Sequence, residues 1–500
     1  MLTPGVYIQE ISTLGKSVRP VPTAIPVFIG YTQKTTFEGT SLANRAVRIT
    51  SLNDFAQKFG DDLPELKFNI SEENNFPDFH DSNGQGYKLT NSGMFFRLLA
   101  AMKFFYANGG SECYVVTIGD YNATFDRDDF MNAIDLLVDE PDPSILVIPE
   151  AILRDVQSAY DIQNHMIRHC SQTKNKFAIL DVPEGYKDLN QSPNCIDDFR
   201  NGVGGILSEN NSYAAAYYPW LHTSIHELSD IGFLNITSEA YPTIATLLTT
   251  EFTDPSGAID PTNIQLISCF SNNGTSDDGA FSLEDADTNF RNTSSTYQAI
   301  LGVILQKLNL IPPSAAMAGI YTVIDDQRGV WQTPANVVLQ SVISPSVAID
   351  NDLQLDLNAP ADGKSICAIR AFLGRGNLVW GGRTMDGNSN EWRYINVRRT
   401  LIFIEQSVKE SIKAFVFASN DANTWTQVET MISNFLNSLW REGALLGTKP
   451  SEAFSVNIGL GKTMTPQDIQ NGIMRISLAI ALMHPAEFVV ISIEQKMQES

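Results

Sequence analysis

Three apolar runs decide the fold class: Cys113-Tyr-Val-Val-Thr-Ile118, Ser144-Ile-Leu-Val-Ile-Pro149 and Phe177-Ala-Ile-Leu-Asp181. They recur about every 32 residues with helical segments between them, the spacing of right-handed βαβ units. Ahead of the first run, Phe95, Leu98, Leu99, Met102 and Phe105 share one helical face, and Asn108-Gly109-Gly110 ends it. The pattern predicts a parallel sheet with covering helices over roughly residues 90–185, in a chain of mixed α/β (α+β) class.

Both ends of the chain read differently. Thr3-Pro-Gly-Val-Tyr-Ile-Gln-Glu-Ile11 alternates in character after a Pro-Gly breaker and predicts an extended strand. Pro20, Pro22 and Pro26 fix φ and remove donors, so residues 12–26 read as a linker, followed by a strand at Val27–Gly30. Near the other end, Trp425, Val428, Ile432, Phe435 and Leu439 step by three and four residues, predicting a half-buried helix that stops near Gly443. Thr465-Pro466-Gln467-Asp468 places a capping residue, a proline and an acid where a short helix needs them, and Gly472 closes it. Met474, Ile476, Leu478, Ile480 and Leu482 then alternate as a strand, and Glu487–Glu494 forms a second β-rich run after Pro485. Residues 250–295, rich in Asp, Asn, Ser, Thr and Gly, read as an irregular surface insertion.

The chain has 500 residues, too many for one core, and 43% of them are hydrophobic, enough for two to four folded domains. Neither a signal peptide nor an apolar run of membrane-spanning length is evident. Five scattered cysteines without a C-x-x-C pair suit free thiols and synthesis in a reducing cytoplasm. The net charge of −23 argues against a phosphate-binding surface. Residues 1–60 hold 6 basic and 3 acidic side chains, 361–500 hold 14 and 13, and the stretch between holds 14 and 41. From Asn201 to Phe290 there is no lysine or arginine. A near-neutral module built from both ends, with an acidic module between them, accounts for that distribution.

Motifs of chemistry are weak. Gly-Lys-Ser/Thr triplets at Gly15, Gly363 and Gly461 lack the earlier glycine of a phosphate loop, since those positions hold Glu10, Asn358 and Val456. Gly374-Arg-Gly376 lacks the third glycine of a dinucleotide fingerprint, because position 379 is Val379, and reads as a turn. His165 and His169 with Cys170, and His222 and His226 with Glu227, have i, i+4 spacing, but Met166 and Thr223 stand where a zinc-peptidase motif needs glutamate. Asp325-Asp326-Gln-Arg328 reads as a turn or ion-pair cluster. No catalytic, cofactor or metal residue is assigned.

Taken in order, several segments resemble the sheath proteins of contractile tails, those of myophages and of phage-tail-like extracellular contractile injection systems. They are Thr3–Glu10, Ser212-Tyr-Ala-Ala-Ala-Tyr-Tyr-Pro-Trp220, Ile311–Tyr321, Arg328-Gly-Val-Trp331 with Pro334-Ala-Asn336, Asn396-Val-Arg-Arg399, Leu439–Leu445 and Pro485–Val490. The resemblance implies a multidomain, non-enzymatic sheath fold without cofactors. In that reading residues 1–26 are a strand arm and linker, 27–90 begin the core and lead to the middle domain, and 91–310 form an acidic outer α/β domain with a loop-rich insertion at about 224–310. Residues 311–485 form the C-terminal sheath domain and 486–500 a second strand arm, so that both chain ends build one polymerisation domain.

The resemblance further implies that Val6, Tyr7, Ile8, Gln9 and Glu10, with Phe488, Val489, Val490, Ile491, Ser492 and Ile493, join the sheets of neighbouring subunits by strand addition. Residues 12–26 would be a flexible tether. The implied partners are further copies or paralogous sheath subunits, an inner tube protein, and baseplate and terminal cap proteins, with no nucleic acid bound and no membrane insertion. Assembly would occur in a bacterial cytoplasm, with a virion tail or released particle as the final location. A phage tail and an injection particle both remain open, as do bulk and adhesion for the insertion. The rival class is an α/β enzyme binding a nucleotide on its parallel sheet, which rests on fold analogy alone.

Overall fold

The computed structural model describes residues 17–63, 66–91, 97–152, 155–189, 194–204, 208–272 and 274–488. Two compact units emerge: Ala24–Asp326 with Pro334–Ile395, and Met1–Thr23 with Gln327–Thr333 and Asn396–Ser500.

The larger unit is built on a nine-stranded sheet. Its strands in chain order are β1 (Pro26–Thr32), β2 (Val47–Ile49), β3 (Cys113–Asp120), β4 (Ile145–Val147), β5 (Phe177–Asp181), β6 (Ala214–Tyr218), β7 (Val337–Val338), β8 (Ile366–Phe372) and β9 (Gly376–Val379). Across the sheet they run β7-β9-β8-β6-β5-β4-β1-β3-β2. The six central strands are all parallel, and antiparallel strands close both margins. Central strands covered on both faces need continuous apolar sequence. Every residue of β1, β4, β5 and β6 is accordingly buried.

On one face Phe28, Val115, Val147 and Ile179 meet the helices Leu98–Ala107 and Ser314–Arg328. Helices Arg127–Leu136 and Val156–Thr173 lie against β1, β3 and β5, and the alternate strand residues Ile29, Leu146 and Leu180 are buried as well. Burying each such side chain contributes about 1.5–3 kcal/mol. Gly319 shows how closely the helices pack: a Cβ there would lie 2.6 Å from the Phe105 carbonyl oxygen. Glycine at position 319 is therefore a packing requirement.

Two elements depart from the sequence reading. Half of the stretch 250–295 is helical and sits in a packed lobe: Tyr241–Phe252, Pro261–Ser268, Leu283–Thr293 and Ser295–Leu308 pack with a small sheet of Phe68–Glu72, Phe79–His80 and Gly86–Asn91 around Leu248, Phe270, Phe290 and Tyr297. The polar clusters at 253–257 and 274–279 do form turns, closed by bonds such as Gly257 N to the Asp254 carbonyl and Gly279 N to the Ser276 carbonyl, while other polar residues of the stretch cap the helices between them. Asp260 accepts from Thr262 N ahead of Pro261, and Ser282 and Asp285 form a reciprocal capping box. The boundary expected at 311 also moves. Residues 311–326 and 334–395 belong to the larger unit, because Ser314–Arg328 covers the sheet and β7, β8 and β9 complete its margin.

At the C-terminal ends of β4 and β5, where open α/β sheets bind ligands at helix N-termini, the chain places its own carboxylates. Glu150 accepts from Tyr31 N at 2.7 Å, Arg97 N at 2.7 Å and Leu98 N at 3.0 Å, so it sits at the start of helix Leu98–Ala107. Asp181 accepts from Ser314 N at 2.8 Å and from the Ser314 hydroxyl at 2.5 Å, capping the next helix. Gly30 makes room, since a Cβ there would lie 2.5 Å from Glu150 Oε2. Positions a nucleotide phosphate would take in an enzyme are filled by internal acceptors.

Burial pushes both carboxyls up to about 7, against the pull of these hydrogen bonds. A carboxyl whose folded value lies above its unfolded value of about 4 binds its proton more tightly in the folded state, so it adds stability as pH falls through 7. Glu150→Gln removes that titration. Between pH 8 and pH 5 the stability difference should shift toward the wild type by on the order of 2 kcal/mol, measured by denaturant unfolding of both proteins. A pH-independent difference would contradict the assignment.

Candidate assembly module

The smaller unit forms where the two chain ends meet one helical layer. Helix Ala422–Arg441 starts at Asp421, whose side chain accepts from Thr424 N, and buries Val428, Met431, Ile432, Phe435, Leu436 and Leu439. These pack with Phe403, Ile404 and Val408 of helix Ile395–Ile412 and with one face of a hairpin. The hairpin strands, β10 (Phe454–Ile458) and β11 (Ile476–Ile480), pair antiparallel from Phe454↔Ile480 to Ile458↔Ile476. Ile476, Leu478 and Ile480 are half-buried and their alternates exposed, as the period of two requires. The short helix Pro466–Gln470 carries the Thr465/Asp468 capping box expected from sequence. Among the described residues this sheet has only two strands, so each is paired along one edge. A groove of about 900 Å³ bounded by Asn457, Lys462, Ile473, Arg475 and Ser477 lies beside it.

Asn396 organises the entry of both chain ends. Its Nδ2 donates to the carbonyls of Trp331 at 3.0 Å and Met483 at 2.9 Å, and its Oδ1 accepts from the Thr333 hydroxyl at 3.0 Å. One turn on, Arg399 donates to the Thr23 carbonyl at 2.9 Å. Thus the opening of one helix fixes residue 23, the 331–333 segment and the exit from β11.

Residues 17–23 are held further along the same helix. Arg19 N donates to Ser411 Oγ at 3.2 Å and Val21 N to Ser407 Oγ at 3.1 Å, and Val18 is buried. Two residues of extended chain advance about 6.8 Å and four of helix about 6 Å, so alternate amides match serines at i, i+4. The linker read as a tether over 12–26 is therefore strapped down from Val18 onward.

Of the strand-arm residues, Val6–Glu10 and Val489–Ile493 lie outside the described residues. Phe488 is described, 74% exposed and outside any element. Asn396 and Arg399 appeared in sequence only within a block that resembles the sheath family, without a role, and nothing marked Ser407 and Ser411 beyond their helical spacing.

The histidine pairs do not converge. His165 contacts Asp135 at 2.7 Å, while burial brings His169 down to about 4. His222 lies in a strand and His226 is buried beside Asp230, also brought down to about 4 by burial. No group of three metal-ligating side chains gathers among the described residues. Gly363 and Gly461 sit in turns, Gly374-Arg-Gly376 turns the β8–β9 hairpin, and Asp325–Arg328 ends a helix instead of forming a turn.

This geometry has known counterparts. The family described as phage tail sheath C-terminal domain matches residues 388–496, the span of Asn396, both helices and the hairpin. The sheath complex of an extracellular contractile injection system, PVC, in its contracted state is 26% identical with a TM-score of 0.60, covering 99% of this chain and 98% of that one. Over nearly its whole length the chain is similar to contractile sheath proteins. The helical sheath of the anti-feeding prophage in its contracted state is 25% identical with a TM-score of 0.62, over 99% and 100% of the two chains. The tail sheath protein of Burkholderia phage BcepMu is 30% identical over 145 residues, which is 28% of this chain and 30% of that protein, so the match spans under a third of that relative. The family is one of structural sheath proteins. No helix among the described residues is long and apolar enough to cross a membrane.

Asn396→Ala leaves the Trp331 and Met483 carbonyls without this donor. Loss of such partners costs about 1–3 kcal/mol each where the group is shielded from water. Hydrogen exchange should accelerate in 327–333 and 476–483 while β4 and β5 stay protected. Unchanged exchange in both segments would mean that Asn396 does not hold them.

Proposed function

We propose that this chain is the repeating subunit of a contractile sheath that polymerises around an inner tube and, on contraction, drives the tube through a target envelope. The observation that carries the proposal is the likeness over 99% of the chain to sheaths of two contractile injection systems. Its partners are then other copies of itself, the tube, the baseplate and a terminal cap, and its destination is a released particle assembled in a bacterial cytoplasm. The partial match to a phage tail sheath favours a second reading, a myophage tail. Capsid and terminase genes beside this one would support the phage; an AAA+ ATPase and a spike without a capsid would support the particle.

Subunits are linked in this account by exchanged strands. Val6–Glu10 of one neighbour and Phe488–Ile493 of another add to the open edges of β10 and β11. Five residues form four or five main-chain bonds at a net ~1 kcal/mol each, so one arm holds weakly after its ordering cost and many arms together hold a mesh. With residues 18–23 strapped to their own helix, the free tether shortens to residues 11–17, which reach at most about 25 Å. The work of contraction comes from the packing of subunits, with no nucleotide consumed by this chain.

Deleting residues 1–12 or 486–500 should abolish cylinders seen by negative-stain electron microscopy without changing the thermal transition of the larger unit. Val489→Asp should have the same effect. Normal tubes from any of the three would overturn strand exchange, and a chain that fails to fold would place the altered segment in the fold itself.

A further inference from the structure

The β8–β9 hairpin projects a compact group of charged and aromatic side chains. Phe372 and Trp380 lie with ring centroids 4.7 Å apart. The Arg370 guanidinium is 5.5 Å from the Phe372 ring, and that of Arg375 is 5.8 Å from Phe372 and 5.7 Å from Trp380. Asn351 accepts from Arg370 at 3.3 Å and Asn336 from Arg375 at 2.7 Å. Between the two arginines Leu373 is fully exposed, at 105%. Ring contact restrains both guanidinium groups, with Arg375 exposed and Arg370 half-buried.

Neither guanidinium meets a carboxylate among the described residues, although Arg48, Arg127, Arg200, Arg291 and Arg475 each do. Acidic side chains outnumber basic ones by 57 to 34 in this chain, so the unneutralised pair is not explained by scarcity of acids. Preorganised arginines around an exposed apolar side chain have the composition of an interface anchor.

We propose that this tip docks on the acidic helical lobe of a second copy of the chain, adding a lateral contact between neighbouring subunits to the exchanged strands. Charge complementarity selects the occupant. Residues 224–310 hold 11 acidic and 2 basic side chains. Both of those cations are already engaged, Arg291 by Asp287 and Lys307 by Asp78. Asp277 and Glu284 are exposed; Asp277 accepts from Asn272 Nδ2, and the capping box beside Glu284 belongs to Asp285. Because tip and lobe are different patches of one chain, the contact is heterologous and propagates into an open helical series. The inference rests on the sheath reading and extends it to a specific lateral interface.

The test is assembly of the full-length chain, read by pelleting and electron microscopy at 150 mM salt. Arg370→Glu with Arg375→Glu should raise the concentration needed for assembly by about tenfold, with an unchanged thermal transition. Adding Asp277→Lys and Glu284→Lys to the same chain should restore assembly, since the two reversed charges on each side are then complementary. If the arginine variant assembles at the wild-type concentration, the tip makes no contact. If it is impaired and the second reversal brings no recovery, the lobe is not the occupant; either result overturns the proposal. Should the glutamate variant misfold, Arg370→Gln with Arg375→Gln is read in its place, with the same rescue design against a weaker loss. Wild-type cylinders in the same series test the sheath reading separately.

Discussion

The smaller unit depends on one carboxamide. Asn396 bonds to the Trp331 and Met483 carbonyls and to the Thr333 hydroxyl, and Arg399 one turn later holds the Thr23 carbonyl. These partners come from segments far apart in sequence, and the bonds add direction to the hydrophobic surface that the segments share. Hydrophobic contact is not directional and would not fix the exit of either end. Directional bonds at the first turn of a helix do. The serine strap continues the same logic along the helix, fixing residues 19 and 21 by their amides.

The larger unit has the architecture of a ligand-binding sheet and uses it as a platform. Parallel strands leave helix N-termini facing one end of the sheet, and those donors need acceptors. Enzymes often satisfy them with phosphate. Here Glu150 and Asp181 satisfy them from within, at the expense of burying two carboxyls whose protons are held more tightly as a result. Sealed in this way, the helix donors are satisfied by the chain's own side chains.

Much of this was legible in the sequence where the signal is local. The runs at 113–118, 144–149 and 177–181 became β3, β4 and β5 because strands buried on both faces must be apolar throughout. The helix through Val428 and Leu439 and the strand through Leu478 followed from their periods. The helices of the lobe were missed because Asp, Asn and Ser serve both turns and helix caps, and only the buried partners of Phe270 and Phe290 distinguish the two. The boundary near 396 was hidden for another reason. Whether 334–395 belongs to the sheet depends on pairings such as Tyr218 with Ala368, which no local pattern encodes. The role of Asn396 was hidden in the same way, since its partners lie 65 and 87 residues away.

The central claim is that the module anchors its own chain ends and leaves the edges of β10 and β11 for other chains. The most direct measurement is an electron cryomicroscopy reconstruction of the assembled sheath at a resolution that traces main chain. The account expects the two-stranded sheet to become four-stranded, with one added strand from each of two neighbouring subunits. A hairpin whose edges face solvent, or are covered by residues 1–16 or 489–500 of the same chain, would contradict it.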